Sequence, residues 1–271
     1  MAIIPSNTQF RGDTTGVPIV DKGSASTNAR AEYFTMADIA QSAGPTTNNT
    51  VYGLDAFKNN TTGQFNVAIG YQSLLNNTTG TLNVAVGNDA MKNGYLSEGN
   101  TAIGDSAMVG VFGSEGTYNV AIGDYTLYSL SSGNQNVAIG SEAGGSITDA
   151  NDNIAIGPYS MSNNGSGSSN IAIGPYCCNA AEMGQSSVHI GQENSQTATG
   201  SNNTSIGSFG NTSIYSNCIT IGTRAEAQSD NDVSIGSSSY PVGTITAYTG
   251  ASAETWEITI NGVTKKIMLA P

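Results

Sequence analysis

His189 is the only histidine in a chain of 271 residues, and neutral imidazole is a good ligand for metal ions. If symmetry gathered several copies of it, they could hold a metal ion or an anion. Cys177 and Cys178 are adjacent and Cys218 stands alone. That spacing is neither a disulfide framework nor a CxxC metal pair, and a cysteine nucleophile would want a neighbouring base. The three cysteines therefore read as structural filler made in a reducing compartment. Asp149 with Asp152, or Asp230 with Asp232, superficially supplies the paired carboxylates of a glycosidase. All four flank turns with no expected cleft, so they read as solvated loop acids. Tyr71, Tyr125, Tyr159 and Tyr176 each follow a glycine by one or two residues, where aromatic faces could stack on sugar rings. Burial at a subunit seam is the competing reading. Phosphate loops, zinc spacings and calcium-type GGxGxD repeats are absent from the sequence, so no cofactor is expected and no enzyme activity.

Composition narrows the partners. Eight Lys+Arg against twenty Asp+Glu give a formal net charge of −12, the wrong sign for neutralising phosphates or sitting on an anionic membrane. Only 10% of residues are charged, 38% are hydrophobic and 34 are glycine, which is poor in apolar content for an ordinary compact core. No run approaches the ~18 apolar residues of a membrane span. The start, Met1-Ala-Ile-Ile-Pro5, has neither a basic segment nor a long apolar one, so neither export nor membrane insertion is expected.

What positions all of these residues is a repeat. A five-residue word recurs as Asn66-Val-Ala-Ile-Gly70, Asn83-Val-Ala-Val-Gly87, Asn100-Thr-Ala-Ile-Gly104, Asn119-Val-Ala-Ile-Gly123, Asn136-Val-Ala-Ile-Gly140, Asn153-Ile-Ala-Ile-Gly157 and Asn170-Ile-Ala-Ile-Gly174. A looser copy ends at Gly53 and four more end at Gly191, Gly207, Gly222 and Gly236, twelve in all. The closing glycines are mostly 17 residues apart, once 19, shortening to 16, 15 and 14 toward the C-terminus. A fixed period of this length signals a solenoid.

Each word reads as one short strand, because β-branched residues favour strands and alternate residues share a face. Val67 and Ile69 are expected to point into the coil. The other face then carries Ala68, Ala85, Ala102, Ala121, Ala138, Ala155 and Ala172, a methyl stripe that would let another backbone approach and form a subunit contact. Whether two or three chains meet there is left open by composition. The stripe turns polar at His189, Ser205, Thr220 and Ser234, so the subunits would either place His189 on a symmetry axis or splay around water. Stacked Asn residues should form an amide ladder, and the closing glycine suits a sharp corner. Three and four residues past that glycine come a small and a large residue, as in Ala56-Phe57, Ser73-Leu74 and Ala90-Met91, which reads as a second strand. A further glycine, as at Gly63 or Gly133, gives the return corner.

The Asn-Val-Ala-Ile-Gly word resembles the head repeat of trimeric autotransporter adhesins, the YadA-like head. That resemblance implies an all-β, left-handed parallel β-roll or β-solenoid of about twelve coils, assembled as a homotrimer with the Ala68-type positions toward the neighbouring chain. The longer coil with Asn60-Thr-Thr-Gly63 and Asn77-Thr-Thr-Gly80 is similar to fibre and spike proteins of tailed bacteriophages. Three regions follow: an N-terminal docking segment over residues 1–44, the repeat shaft over 45–236 and a C-terminal cap over 237–271. Arg30 to Ala40 resembles short docking segments of phage appendages, as a helix with Met36, Ile39 and Ala40 inward. Thr255-Trp-Glu-Ile-Thr-Ile260, Asn261-Gly262 and Val263 to Leu269 read as a β-hairpin with a type I′ turn, capping the open end of the stack.

The expectation is a structural component of a bacteriophage virion, made in the host cytoplasm: a trimeric fibre or spike. It would dock on other virion proteins through its N-terminus and contact a host surface glycan or protein. The head of a bacterial adhesin and a capsid fibre or decoration protein are the alternatives. Neither nucleic acid nor membrane is expected as a partner.

Overall fold

A computed structural model describes residues 10–12, 18–20, 48–111, 113–179, 183–195, 199–237, 239, 255–260 and 263–268. The chain divides into two units, residues 1–35 and 36–271. In the first, β1 (Phe10–Gly12) and β2 (Pro18–Val20) pair antiparallel. The docking helix expected over Arg30 to Ala40 lies outside the described residues.

The second unit is a parallel β-solenoid. Twelve three-residue strands, β3 (Thr50–Tyr52) through β14 (Val233–Ile235), stack in strict chain order in one sheet. They enclose eleven complete coils, against the twelve expected. At ~4.8 Å between strands, the stack rises on the order of 50 Å. Register follows the word: Val67 pairs with Val84, Ala68 with Ala85 and Ile69 with Val86. All described secondary structure is β, and no helix there is long and apolar enough to cross a membrane.

The opening Asn side chains run up the interior as a continuous ladder. Asn66 Oδ1 accepts from the Asn83 backbone N–H at 2.9 Å, and Asn83 Oδ1 accepts from that of Asn100 at 3.0 Å. Most of these amides also donate to the return corner of the next coil, as Asn83 Nδ2 does to Ser97 O at 2.7 Å. The other corner, at the end of each strand, admits only glycine. Gly140 has φ 126°, and a Cβ there would meet the carbonyl carbon of Gly157 at 2.7 Å, a clash with backbone that cannot move aside.

The faces of the strand are inverted from the sequence expectation. Ala68, Ala85, Ala102, Ala121, Ala138, Ala155 and Ala172 are at most 1% exposed within the single chain. Their methyls lie inside the coil, so they cannot form a subunit contact; Val67 and Ile69 lie on the outer face. The reason is volume. Across the coil, Phe57, Leu74, Met91, Leu127 and Met161 are also fully buried, and a narrow roll filled by these large side chains leaves room for only a methyl group opposite them.

The expected second strand is a run of turns. Both members of each small–large pair are buried, as at Ala56-Phe57 and Ser73-Leu74, whereas neighbours in a strand face opposite sides. The backbone achieves this with left-handed φ at alternate residues, 53° at Gln72 and 51° at Leu74. Such residues still bond along the stack: Gln72 N–H donates down to Leu54 O at 3.0 Å, and Leu74 N–H donates up to Ala90 O at 2.9 Å. Coil-to-coil pairing therefore offsets a conformational cost of ~1–2 kcal/mol for each left-handed non-glycine residue. In one coil Gly144 replaces the large residue; a Cβ there would meet Leu127 Cδ2 at 2.9 Å and Ile147 Cδ1 at 3.1 Å. Ile147 fills that space from the next corner.

The C-terminal hairpin is present. β15 (Thr255–Ile260) pairs antiparallel with β16 (Val263–Met268), Ile260 opposite Val263 across the two-residue Asn261-Gly262 link. It forms a sheet of its own; among the described residues it adds no thirteenth strand to the solenoid, as a cap by strand pairing would.

Candidate functional site

His189 follows the alanines inward, which removes it from any symmetry axis. It is fully buried inside its own coil. Ser205 and Thr220, which succeed it, are fully buried too, and Ser234 on the last strand is half-buried, so the column neither splays subunits nor lines a channel between them. Thr220 Oγ1 donates to Ser205 Oγ at 2.7 Å, and Ser205 Oγ donates to Asn194 Oδ1 at 2.7 Å. Neither imidazole nitrogen has a hydrogen-bond partner. Burial in this setting lowers the His189 pKa to about 4, with the neighbouring Asn194 side chain opposing part of the shift. Among the described residues no group of three His, Cys, Asp or Glu could hold a metal ion.

A depressed imidazole pKa ties stability to pH. Between pH 6.5 and about 4 the unfolded chain binds a proton that the folded chain refuses. Stability is therefore complete above the unfolded value and declines as pH falls through this window, by roughly 3 kcal/mol in all. Unfolding midpoints at pH 7 and pH 4 should differ more for the native chain than for His189→Leu. Equal differences in the two proteins would place a proton on the buried ring or remove it from the interior.

The cysteines are interior filler. Cys177, Cys178 and Cys218 are free and buried, and desolvation raises the Cys178 thiol well above its usual range, with Cys177 adding to it. That is the opposite of an activated nucleophile. Asp149 and Asp152 are exposed. Asp230 and Asp232 accept backbone N–H groups, from Ser216 at 2.9 Å and Gln228 at 2.9 Å, so both work as turn acids.

Two surface features are left. The first is the outer face of the strands, where Val, Ile and an occasional Thr occupy the first and third positions of nearly every word from β3 to β14. Ile122 and Ile139 are each 37% exposed, and Val233 at the last strand is 58% exposed. Two parallel apolar columns running the length of a stack form a patch of the kind that marks an association surface.

The second feature brings together three of the four sequence-predicted tyrosines. Tyr71 is exposed three coils before Tyr125, the nearest of them in the repeat order. Tyr125 lies 5.5 Å from Tyr128, centroid to centroid, with rings tilted by 40°. Tyr159 and Tyr176 stack at 4.9 Å with planes 1° from parallel. Between these pairs in the repeat order sits Glu142, whose carboxylate, facing Tyr159 as an acceptor and as a charge, raises the phenol pKa. The three tyrosines and Glu142 occupy the same position, two past the closing glycine, in successive coils.

Beside Tyr125 a groove of about 370 Å³ opens, lined by Tyr128, Glu142, Gly145, Ser146 and Asn163 among others. Tyr128, Glu142 and Gly145 were not singled out from the sequence. Reading the fifth position after each closing glycine would have found the gap, since Lys58, Leu75, Lys92, Val109 and Tyr128 are followed there by Gly145. The chain matches no family model, no curated protein and no solved structure.

Proposed function

We propose that the chain is a non-enzymatic structural protein of a bacteriophage particle, a rigid shaft in which three left-handed rolls pack side by side as a fibre or spike. The observation that carries this reading is the double column of outward Val and Ile side chains along eleven of the twelve strands. An apolar stripe so long is a liability on a lone chain, and closed symmetry covers it without open-ended growth. Three-fold symmetry comes from the resemblance of the repeat to trimeric adhesin heads and phage fibres. The pairing of each coil with the next through strand, turn and Asn ladder suits an exposed appendage, because the backbone offers few local openings to proteases. Residues 1–44 would dock on other virion proteins, and the distal shaft would meet the host.

Light scattering of the purified chain should give three times the 27.6 kDa chain mass, and antibody to residues 48–236 should label intact virions. A monomer would remove the packing of rolls; a trimer with unlabelled particles would remove the virion assignment alone.

A further inference from the structure

We infer that the groove beside Tyr125 and Tyr128 is a binding site for a neutral saccharide. Its volume of about 370 Å³ falls at the small end of the ~300–1,000 Å³ range of small-ligand sites, a scale suited to a mono- or disaccharide. The walls supply both halves of sugar recognition. Half-exposed Tyr125 and Tyr128 offer ring faces for the apolar C–H side of a pyranose. Glu142, Ser146 and Asn163 supply a carboxylate, a hydroxyl and an amide for its hydroxyl groups.

The polar groups are held in place beforehand. Glu142 lies beside Tyr159, whose ring is held by stacking on Tyr176. Asn163 Nδ2 donates to Asn179 Oδ1 at 2.6 Å in the next coil. Side chains anchored this way lose little freedom when a ligand arrives. Charge selects the class of sugar: the lining holds one carboxylate and no cation, on a chain of net charge −12, so sialylated, uronic or phosphorylated glycans are repelled. The groove lies on the segments after the closing glycines, apart from the strand face, so packing of rolls through Val and Ile leaves its lining uncovered by that contact.

The site has a variant that closes it without disturbing the fold. A Cβ added at Gly145 meets nothing closer than Glu142 O at 3.4 Å, an ordinary contact, and the same position in another coil already carries Leu75. Gly145→Leu should therefore fold normally and fill the groove.

Use of the site in host contact rests on the virion reading, whereas sugar binding by the purified chain does not, so the two fail separately. The experiment is saturation-transfer difference NMR on the full chain with maltose, cellobiose, lactose and N,N′-diacetylchitobiose as neutral probes and 3′-sialyllactose as the anionic one. Expected is transfer to at least one neutral disaccharide and none to sialyllactose, with affinity reduced at least about tenfold by Gly145→Leu and by Tyr128→Ala. Tyr71→Ala, outside the groove, should bind as the native chain does. Silence from all four neutral probes overturns the site; so does binding that survives both groove variants, or binding of the sialylated sugar alone.

Discussion

Replacing Asn119 by alanine should destabilise the solenoid by about 3 kcal/mol or more, since each polar group left buried and unpaired costs ~1–3 kcal/mol. Asn119 is fully buried. Its amide donates to Gly133 O at 2.9 Å and to Asn100 Oδ1 at 3.1 Å. Its oxygen accepts from the backbone N–H of Asn136 at 2.9 Å and from the Asn136 amide at 3.0 Å. A methyl group in its place strands the Asn136 N–H and the Gly133 carbonyl where water cannot reach them. Because the ladder passes through every coil of the central shaft, the break should also split cooperative unfolding into two transitions, as expected when one interface in a one-dimensional stack is weakened. The control is Asn59→Ala, which removes a 2.8 Å amide bond to Asn76 on the exposed surface and should cost within ~0.5 kcal/mol. Urea unfolding of both variants measures the contrast, and equal losses would mean the interior ladder contributes nothing beyond a surface bond.

The double variant Ile122→Asp with Ile139→Lys should convert the proposed trimer to folded monomers. The two residues are cross-strand partners on the outer face, each 37% exposed in the single chain. Opposite charges placed there support one another across the sheet, so the coil itself should keep its stability. Burial of those charges at a subunit interface carries a desolvation penalty of several kcal/mol per ion, and symmetry repeats it in every chain. For an interface of nanomolar strength, ~12 kcal/mol, that is enough to abolish assembly at micromolar protein. Light scattering reads the mass and circular dichroism reads the sheet. A trimer that persists with both charges in place would show that the chains meet through some other face.

The strands, their parallel order, the glycine corners, the Asn ladder and the C-terminal hairpin were all legible in the sequence, because each depends on local rules: alternation, missing Cβ atoms, amide geometry and a two-residue Asn-Gly link. Which face of Val67-Ala68-Ile69 turns inward was not. Alternation says only that Ala68 opposes its neighbours. The decision belongs to the far wall of the coil, where Leu74 and its counterparts already fill the interior. The same wall misled the reading of Ser73-Leu74 as strand, since left-handed φ at Leu74 is an unusual state for a leucine and only coil-to-coil hydrogen bonds recover its cost. His189 went to the wrong side with the alanines it replaces. The tyrosines were picked out as aromatic, but the groove beside them is made by an absence, Gly145 between Tyr128 and Ser162, and gaps become visible only when columns are aligned rather than words.

Strand register is indifferent to the length of the winding between strands. Thr101 pairs with Val120 across the one 19-residue interval, and Thr220 pairs with Ser234 across a 14-residue one. The extra residues are taken up in the bend around Gly110 and Gly113, and a Cβ added at Gly113 would meet nothing within 4 Å. That bend is thus an open mounting point: peptide grafted there would hang from the shaft like a pennant from a mast, and the mast would not register its weight.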